Sequence, residues 1–510
     1  MQSRILAAAL STTCLVGAPA LADVTPEDVW ESYRDMMTAT GMEVSADESR
    51  DGETLVVRNM IYSMTIETPT GPVTTSATAP ELRFEQLPRG EVSLRFASPI
   101  TTISRVPEDP ALGTPAFESR AEMTIEGETV VSGDPRDMVY ATQGGAVVMT
   151  SAPVEVDGQQ LQPGVRLAID QIDGNFSLVR EQETLRSETD FTAGTFTYGI
   201  DPFTSEGATV EAAFTASGIT GTGNFSISDA GTPGDMAAFL GGGVMDFTLK
   251  AGKSSSTMRV TGAEDNAPLD ILANTGPTDL AITLDKGILT YDAAAQKVDL
   301  SFAGPQIPGQ QAQLVVNRYA AGLTFPMGAS DADQPFRLKL ALEEVTLPPI
   351  AWAMLDPQNE MPHDPATLRF ELGGTVQSDI AFYDMEQISR LESEGEEAVT
   401  PKTVKIPELF LSLAGARISG SGDGRFLDKA PAIPGGLPPF AGTLSLNLKG
   451  VPTLIDRLAN SGLLPQETAM SAQMMLGMFA RPGEAPDELV SELELTEQGQ
   501  IVANGQPLPF

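Results

Sequence analysis

His363 is the only histidine in the chain, and it stands between Pro362 and Asp364 in the segment NEMPHDPATL. A Ser-His-Asp triad needs one imidazole, so a single histidine is enough in principle. The nucleophile is what the sequence lacks. No G-x-S-x-G elbow occurs, and no Ser-x-x-Lys pair offers a lysine-activated serine. His363 therefore reads as a loop residue. A zinc centre needs several His or Cys ligands. The chain has one histidine and one cysteine, Cys14, and the cysteine falls in a leader expected to be removed.

Other chemistries fare no better. Gly252-Lys253-Ser254 lacks the earlier glycine of a phosphate-cradling G-x-x-x-x-G-K-[ST] loop. Gly420, Gly422 and Gly424 in SGSGDG form a glycine-rich run that reads as a turn rather than a phosphate site. Two facing carboxylates could cleave a glycosidic bond. Such sites come with aromatic platforms, and this chain has two tryptophans and seven tyrosines with no aromatic–acid cluster. Glu392, Glu394, Glu396 and Glu397 could attract calcium but lack the spaced D-x-D-x-D-G pattern. They read as an exposed acidic loop. The expectation is a protein that is not an enzyme and holds no cofactor and no metal.

One cluster invites a binding role. Met470, Met474, Met475 and Met478 lie beside Phe479 in a helical segment. Methionine side chains adapt to irregular apolar shapes. These five residues are the candidate ligand-binding set, as the mouth of a lipid-accepting site, with core packing as the plainer alternative.

The elements that would position such a site follow from the pattern. Arg4 gives a short positive region, an apolar stretch runs over Ile5–Ala9 and resumes at Leu15 and Val16, and Ala20-Leu21-Ala22 is a small-x-small site. This reads as a secretory signal peptide over 1–22, cleaved after Ala22, which places the protein in the periplasm with no transmembrane anchor after processing. Without disulfides, the exported chain must hold together by burial and backbone pairing. Its net charge of −38 repels nucleic-acid phosphates and anionic lipid head groups. No lysine precedes Lys250.

Thr25, Pro26, Glu27 and Asp28 open a helix, with Trp30, Tyr33 and Met37 on one face and Gly41 at its end. Beyond Gly52 the apolar period becomes two. It is seen at Val92, Leu94 and Phe96; at Phe196, Tyr198 and Ile200; at Met245, Phe247 and Leu249; and at Leu280, Ile282 and Leu284. Val298, Leu300 and Phe302 continue it. So do Phe336, Leu338, Leu340 and Leu342, then Leu409, Leu411 and Leu413, then Leu444, Leu446 and Leu448. Such alternation marks strands with one apolar and one wet face. Turn pairs at Asp157-Gly158, Asp173-Gly174 and Lys286-Gly287 imply antiparallel meanders.

Short helices are expected at 233–240, 348–355, 452–459 and 467–479. FRLKLALEEVTLPPIAWAML and TLSLNLKGVPTLIDRLA share a strand-then-helix plan, and FSISDAGTPGDMAAFL resembles it more loosely. The fold class is thus mainly β: extended, curled antiparallel sheets with a few short packed helices. The chain divides into a helix-plus-sheet region over 23–243 and a second sheet region over 244–510, with the boundary at Gly241-Gly242-Gly243. Some twenty strands paired in order would span roughly 100 Å and must curl, which leaves a concave apolar face needing cover.

The leader, the opening DVTPEDVWESY, the long meander and the closing ELELTEQGQIVANGQPL together resemble an uncharacterised family of exported alphaproteobacterial proteins, known only as a domain of unknown function, DUF2125. The resemblance spans nearly the whole chain after the leader and implies no activity and no catalytic residue. More distantly, the Asn504-Gly505 hairpin and the strand-then-helix units look like parts of large envelope proteins with extended grooved sheets, some of which are implicated in moving or organising lipids. The function expected is binding of a lipid-like apolar ligand or an envelope protein on a β-sheet surface. The alternatives are a structural or assembly protein of the cell envelope with no small ligand, and a carboxylate-dependent hydrolase of envelope polymers.

Overall fold

The computed structural model describes residues 23–508, apart from 40–41, 69, 111–112, 157–158, 182–183, 206, 229–239, 263–266, 385–386, 389, 392–397 and 428–438. The expected leader with Cys14, the turn expected at Asp157-Gly158, the acidic run 392–397 and nearly all of the helix expected at 233–240 lie outside the described residues.

The first helix, α1 (Pro26–Ala39), opens on a reciprocal cap. The Asp28 N–H donates to Thr25 Oγ1 at 3.3 Å, while the Thr25 N–H donates to Asp28 Oδ2 at 2.9 Å. Two otherwise unpaired backbone donors are thereby satisfied.

A single antiparallel sheet follows. It begins at β1 (Glu43–Asp51) and steps through β2 (Thr54–Thr68) to β3 (Gly71–Leu87). The next rung is two strands end to end, β4 (Glu91–Phe96) and β5 (Ile100–Val106), both paired with β3 on one side and β6 (Phe117–Asp134) on the other. Next comes β7 (Asp137–Ser151); a separate hairpin of β8 (Val154–Val156) and β9 (Gln159–Gln162) then intervenes in the chain. The long strands β10 (Val165–Glu181), β11 (Thr184–Ser205) and β12 (Ala208–Ser228) continue the ladder from β7.

Two more double rungs follow. β13 (Val244–Ala251) and β14 (Lys253–Thr261) pair with β12, and β15 (Pro268–Thr275) and β16 (Thr278–Asp285) pair with them in turn. The meander then runs through β17 (Ile288–Ala303), β18 (Gln311–Pro326), β19 (Ser330–Thr346) and β20 (Ala366–Ser378). It finishes with β21 (Val399–Leu413), β22 (Ala416–Phe426), β23 (Phe440–Lys449), β24 (Arg481–Pro482), β25 (Glu488–Leu495), β26 (Ile501–Ala503) and β27 (Gln506–Pro507).

Twenty-five of these strands form one sheet. Every pairing is antiparallel and between strands close in sequence, so the fold is mainly β, as the alternation predicts. The segment Gly241-Gly242-Gly243 lies within the connection from β12 to β13, and these two strands are directly paired from Thr220↔Lys250 to Ser226↔Val244. The ladder therefore crosses that point without a break. About twenty rungs at ~4.8 Å make a ribbon close to 100 Å long, well beyond the ~10 strands an open sheet carries before it curls.

The sheet bends along a line that the sequence pattern does not announce. Backbone with positive φ recurs at one level of the ladder: Asn59, Gly127, Gly144, Gln171, Gly218, Lys297 and Glu344. The registers place these positions opposite one another, or opposite a strand break, from β2 to β19. Bulges bend a strand and raise its twist. Aligned across neighbouring strands, they form a crease. Inward residues alternate on each side of it and take a three-residue step across it, as in Val57→Met60, Ala193→Phe196, Ala216→Ile219 and Val316→Tyr319. Asp173-Gly174 belongs to this feature: it lies inside β10 beside a register shift and is not a turn. Lys286-Gly287 and Asn504-Gly505 are turns as expected.

Three further helices are α2 (Pro349–Leu355), α3 (Val451–Asn460) and α4 (Gln466–Phe479), close to the expected spans. The β19–α2 and β23–α3 units reproduce the shared strand-then-helix plan. Among the described residues no helix is long and apolar enough to cross a membrane.

Candidate functional site

Every alternating run named from the sequence faces the same side of the sheet. The registers chain these positions into rows that cross the strands. One row passes Phe191, Gly221, Leu249, Leu280, Ala293, Ala321, Leu340 and Phe370, and continues to Leu409, Gly420, Leu446 and Ser491. A parallel row passes Ala193, Ile219, Thr278, Ala295, Tyr319, Leu342 and Leu368 before reaching Leu411, Ile418, Leu448 and Leu489. Neither row contains an Asp, Glu, Lys or Arg. The opposite face carries cross-strand ion pairs, including Arg259–Asp270 at 2.6 Å, Arg318–Glu343 at 2.9 Å and Arg369–Glu408 at 2.6 Å. Exposed pairs of this kind contribute ~0–1 kcal/mol each. Their consequence lies in register: slipping a strand by one residue would drive these charges onto the apolar face.

At its β1 end the inner face is filled. Helix α1 lays Val29 and Trp30 on Leu55, Met60, Leu82 and Phe84, and all six are nearly or fully buried. The Trp30 indole N–H donates to Glu48 Oε1 at 2.7 Å, which satisfies the ring's one polar group.

From β10 to β18 the inner face is open. A trough of about 490 Å³ lies over the crease there, with Ile169 of β10 at one side and Tyr319 of β18 at the other. These strands stand six rungs apart, roughly 29 Å along the sheet. Side chains so far apart border one cavity only because the crease makes the sheet concave. Small residues at Ala193, Ala216, Ala251 and Ala295 leave space, and Phe196 and Phe214 wall it. The volume falls in the ~300–1,000 Å³ range of small-molecule sites. Tyr291 at the trough's border continues into a cross-strand row with Leu323 and Leu338, all 39–47% exposed, so the apolar lane stays uncovered beyond the trough.

The sequence reading misses the trough. It names Phe196, Leu249 and Leu280 as strand residues but assigns them no site. The signal that could have found it is the three-residue phase slip recurring in successive strands.

The candidate methionines lie on the surface of α4. Met470, Met474, Met475 and Met478 are 65%, 68%, 54% and 44% exposed on α4, so they are not core. Phe479 is half-buried, and its carbonyl accepts hydrogen bonds from Ser491 Oγ at 2.7 Å and Asn504 Nδ2 at 3.0 Å. None of the five borders the trough.

His363 is pinned in a structural cluster. Its Nε2 lies 3.1 Å from Asp356 Oδ2, and its ring stacks on Trp352 at 4.1 Å between centroids. Asp356 is 3% exposed and also accepts the backbone N–H groups of Glu360 at 2.9 Å and Met361 at 2.8 Å. Burial works to raise the Asp356 pKa. The two backbone donors and His363 outweigh it, so the carboxyl titrates below its ordinary value. This arrangement folds the loop after α2, and among the described residues the imidazole's hydrogen-bond partner is the Asp356 carboxylate.

The glycine run is not a turn. Gly420, Gly422 and Gly424 lie inside β22, where an added Cβ on each would press on Leu446, Leu444 and Phe440 respectively. They are seats for cross-strand side chains. Among the described residues no group of three or more His, Cys, Asp or Glu side chains is placed to hold a metal ion. No family model, no curated protein and no solved structure matches the chain.

Proposed function

We propose that this chain is a binding protein for an apolar, acyl-chain-like ligand, held in the trough over the crease, and that it works in the bacterial periplasm rather than as an enzyme. The observation that carries the reading is the pair of inner-face rows from β11 onward, neither of which carries a charged residue. An acyl chain needs apolar walls and no polar partner, and the rows from Phe191 to Leu446 and from Ala193 to Leu448 offer that surface. Each methylene moved from water into such a site contributes ~0.8 kcal/mol. The compartment rests on the leader-like N-terminus and the resemblance to the exported family described by DUF2125.

Native mass spectrometry of protein purified from the periplasm, with titration of a fluorescent fatty acid, tests the reading. Expected are a co-purifying apolar ligand and saturable uptake that the unlabelled fatty acid displaces. Ligand-free protein that takes up no probe would refute it and leave the alternative, an envelope assembly protein without a small ligand.

A further inference from the structure

We propose that the trough takes an uncharged long-chain amphiphile, a fatty alcohol or a glycerol monoester, with its tail toward β10–β12 and its oxygen-bearing head against the hydroxyls of Thr278, Tyr291 and Tyr319. The proposal rests on the trough reading above and names the ligand class within it.

The trough is not uniform along its length. At the β10–β12 end its walls are hydrocarbon, with Ile169, Phe191, Phe196 and Phe214 among them. At the β16–β18 end three hydroxyl side chains border it: Thr278, Tyr291 and Tyr319. Thr278 and Tyr319 stand on either side of Ala295 in one inner row, and Tyr291 precedes Ala293 and Ala295 on the same face of β17. The three hydroxyl residues thus frame the alanine floor. Other hydroxyls in this part of the sheet satisfy one another, as Ser254 with Thr275 at 2.5 Å and Thr290 with Thr324 at 3.2 Å. Among the described residues, the hydroxyls of Thr278, Tyr291 and Tyr319 have no hydrogen-bond partner within the protein. Apolar walls with a few polar groups at one end fix which way an amphiphile lies.

Charge selects the head group. Carboxylate and phosphate heads are gripped by Arg or Lys, and among the described residues no Lys, Arg or His borders the trough. The one charged residue that does is Asp279, which repels an anion. Its partner Lys250, at 3.9 Å, alternates with Leu249 along β13 and so points to the opposite face. An ionised head drawn into this end gives up water and gains no opposite charge. An alcohol or ester oxygen meets no such penalty, because Thr and Tyr hydroxyls both donate and accept hydrogen bonds. Tyrosine suits the boundary, presenting an apolar ring to the chain and a polar tip to the head. A fatty acid still enters by its tail, with its carboxylate left in water at the open side of the trough.

Displacement of a fluorescent fatty acid from the purified chain tests the proposal, using three competitors of one saturated chain length: the acid, the alcohol and the glycerol monoester, each below its micelle concentration. The alcohol and the monoester should displace the probe at concentrations at least tenfold lower than the acid. Thr278→Val/Tyr291→Phe/Tyr319→Phe removes the three hydroxyls and keeps the side-chain shapes. Its circular dichroism spectrum and its affinity for the acid should match wild type, while its preference for the alcohol and the monoester should fall below threefold. Should that chain not fold, Tyr319→Phe alone should lower the preference at least twofold. Equal competition by acid and alcohol in the wild-type chain would overturn the proposal and leave the trough reading intact. A preference unchanged in the variants would overturn the assignment of the head to these hydroxyls. A chain that binds neither the probe nor any competitor would refute the trough reading, and this proposal with it.

Discussion

Phe191 of β11 lays its ring over Gly221 of β12, so closely that a Cβ added to Gly221 would overlap the ring. The glycine is what allows a phenylalanine to lie flat at the trough wall. Gly221→Val should push the ring into the trough. Overpacking of this kind costs about 1–3 kcal/mol. Thermal unfolding should show a lower midpoint, and fatty-acid uptake should weaken in the same variant. A variant with unchanged uptake would mean that the ligand does not lie against Phe191.

A charge in the trough is the sharper test of its apolar character. Ala295 stands on the inner row between Thr278 and Tyr319 and borders the cavity. Ala295→Glu puts an unpaired carboxylate where a ligand chain would lie. Desolvating it costs several kcal/mol unless it protonates. Displacement titration at neutral pH should show at least a tenfold loss of affinity, with partial recovery toward acid pH as the carboxyl takes up a proton. Gln296, one residue away, is exposed, pairs with Arg318 on the opposite face and does not border the cavity, so it gives the control: Gln296→Glu should disturb uptake less.

Much of this architecture is legible in the sequence. Strand identity and facing follow from alternation because the inner rows from β11 onward carry no charge; Leu338, Leu340 and Leu342 therefore stand out against Arg337 and Lys339. Helix α1 is legible because Thr25 and Asp28 form a local cap. The crease is not, because a three-residue step such as Ala193→Phe196 looks like the end of one strand when read alone. It gains meaning only when Ala216→Ile219 and Ala295→Val298 lie at the same level, which pairing decides. Gly420 and Gly422 misread for a related reason. Glycine favours turns locally, but here the space above each is taken by a leucine of β23, and that is a tertiary fact.

The crease should be sensitive at its glycines, and unequally so. Gly218 has φ +62° but open surroundings, its nearest neighbour to an added Cβ being 3.8 Å away. Gly218→Ala should carry only the conformational cost of the left-handed region, about 1–2 kcal/mol. Gly127 has φ +104°, and its added Cβ would come within 2.8 Å of the Gly145 Cα. Gly127→Ala must therefore also force β6 and β7 apart. Chemical denaturation should rank Gly127→Ala as the more damaging. The reverse order would mean that the crease flexes enough to absorb a methyl group.

The Trp352–His363 stack gives the loop after α2 an acid limit. Asp356 anchors that loop as a carboxylate, and its pKa in the folded chain lies below the ordinary value near 3.9. A depressed pKa means that the stabilisation is fully present above the unfolded value and is lost as pH falls through the folded one. In a Trp30→Phe background, Trp352 is the sole tryptophan. Its fluorescence should change as pH falls below about 4. Asp356→Asn keeps the shape of the side chain but removes the charge that the Glu360 and Met361 N–H groups and His363 surround. It should abolish the acid transition and leave the fluorescence altered at every pH. A transition that persisted unchanged in Asp356→Asn would assign it to another carboxyl.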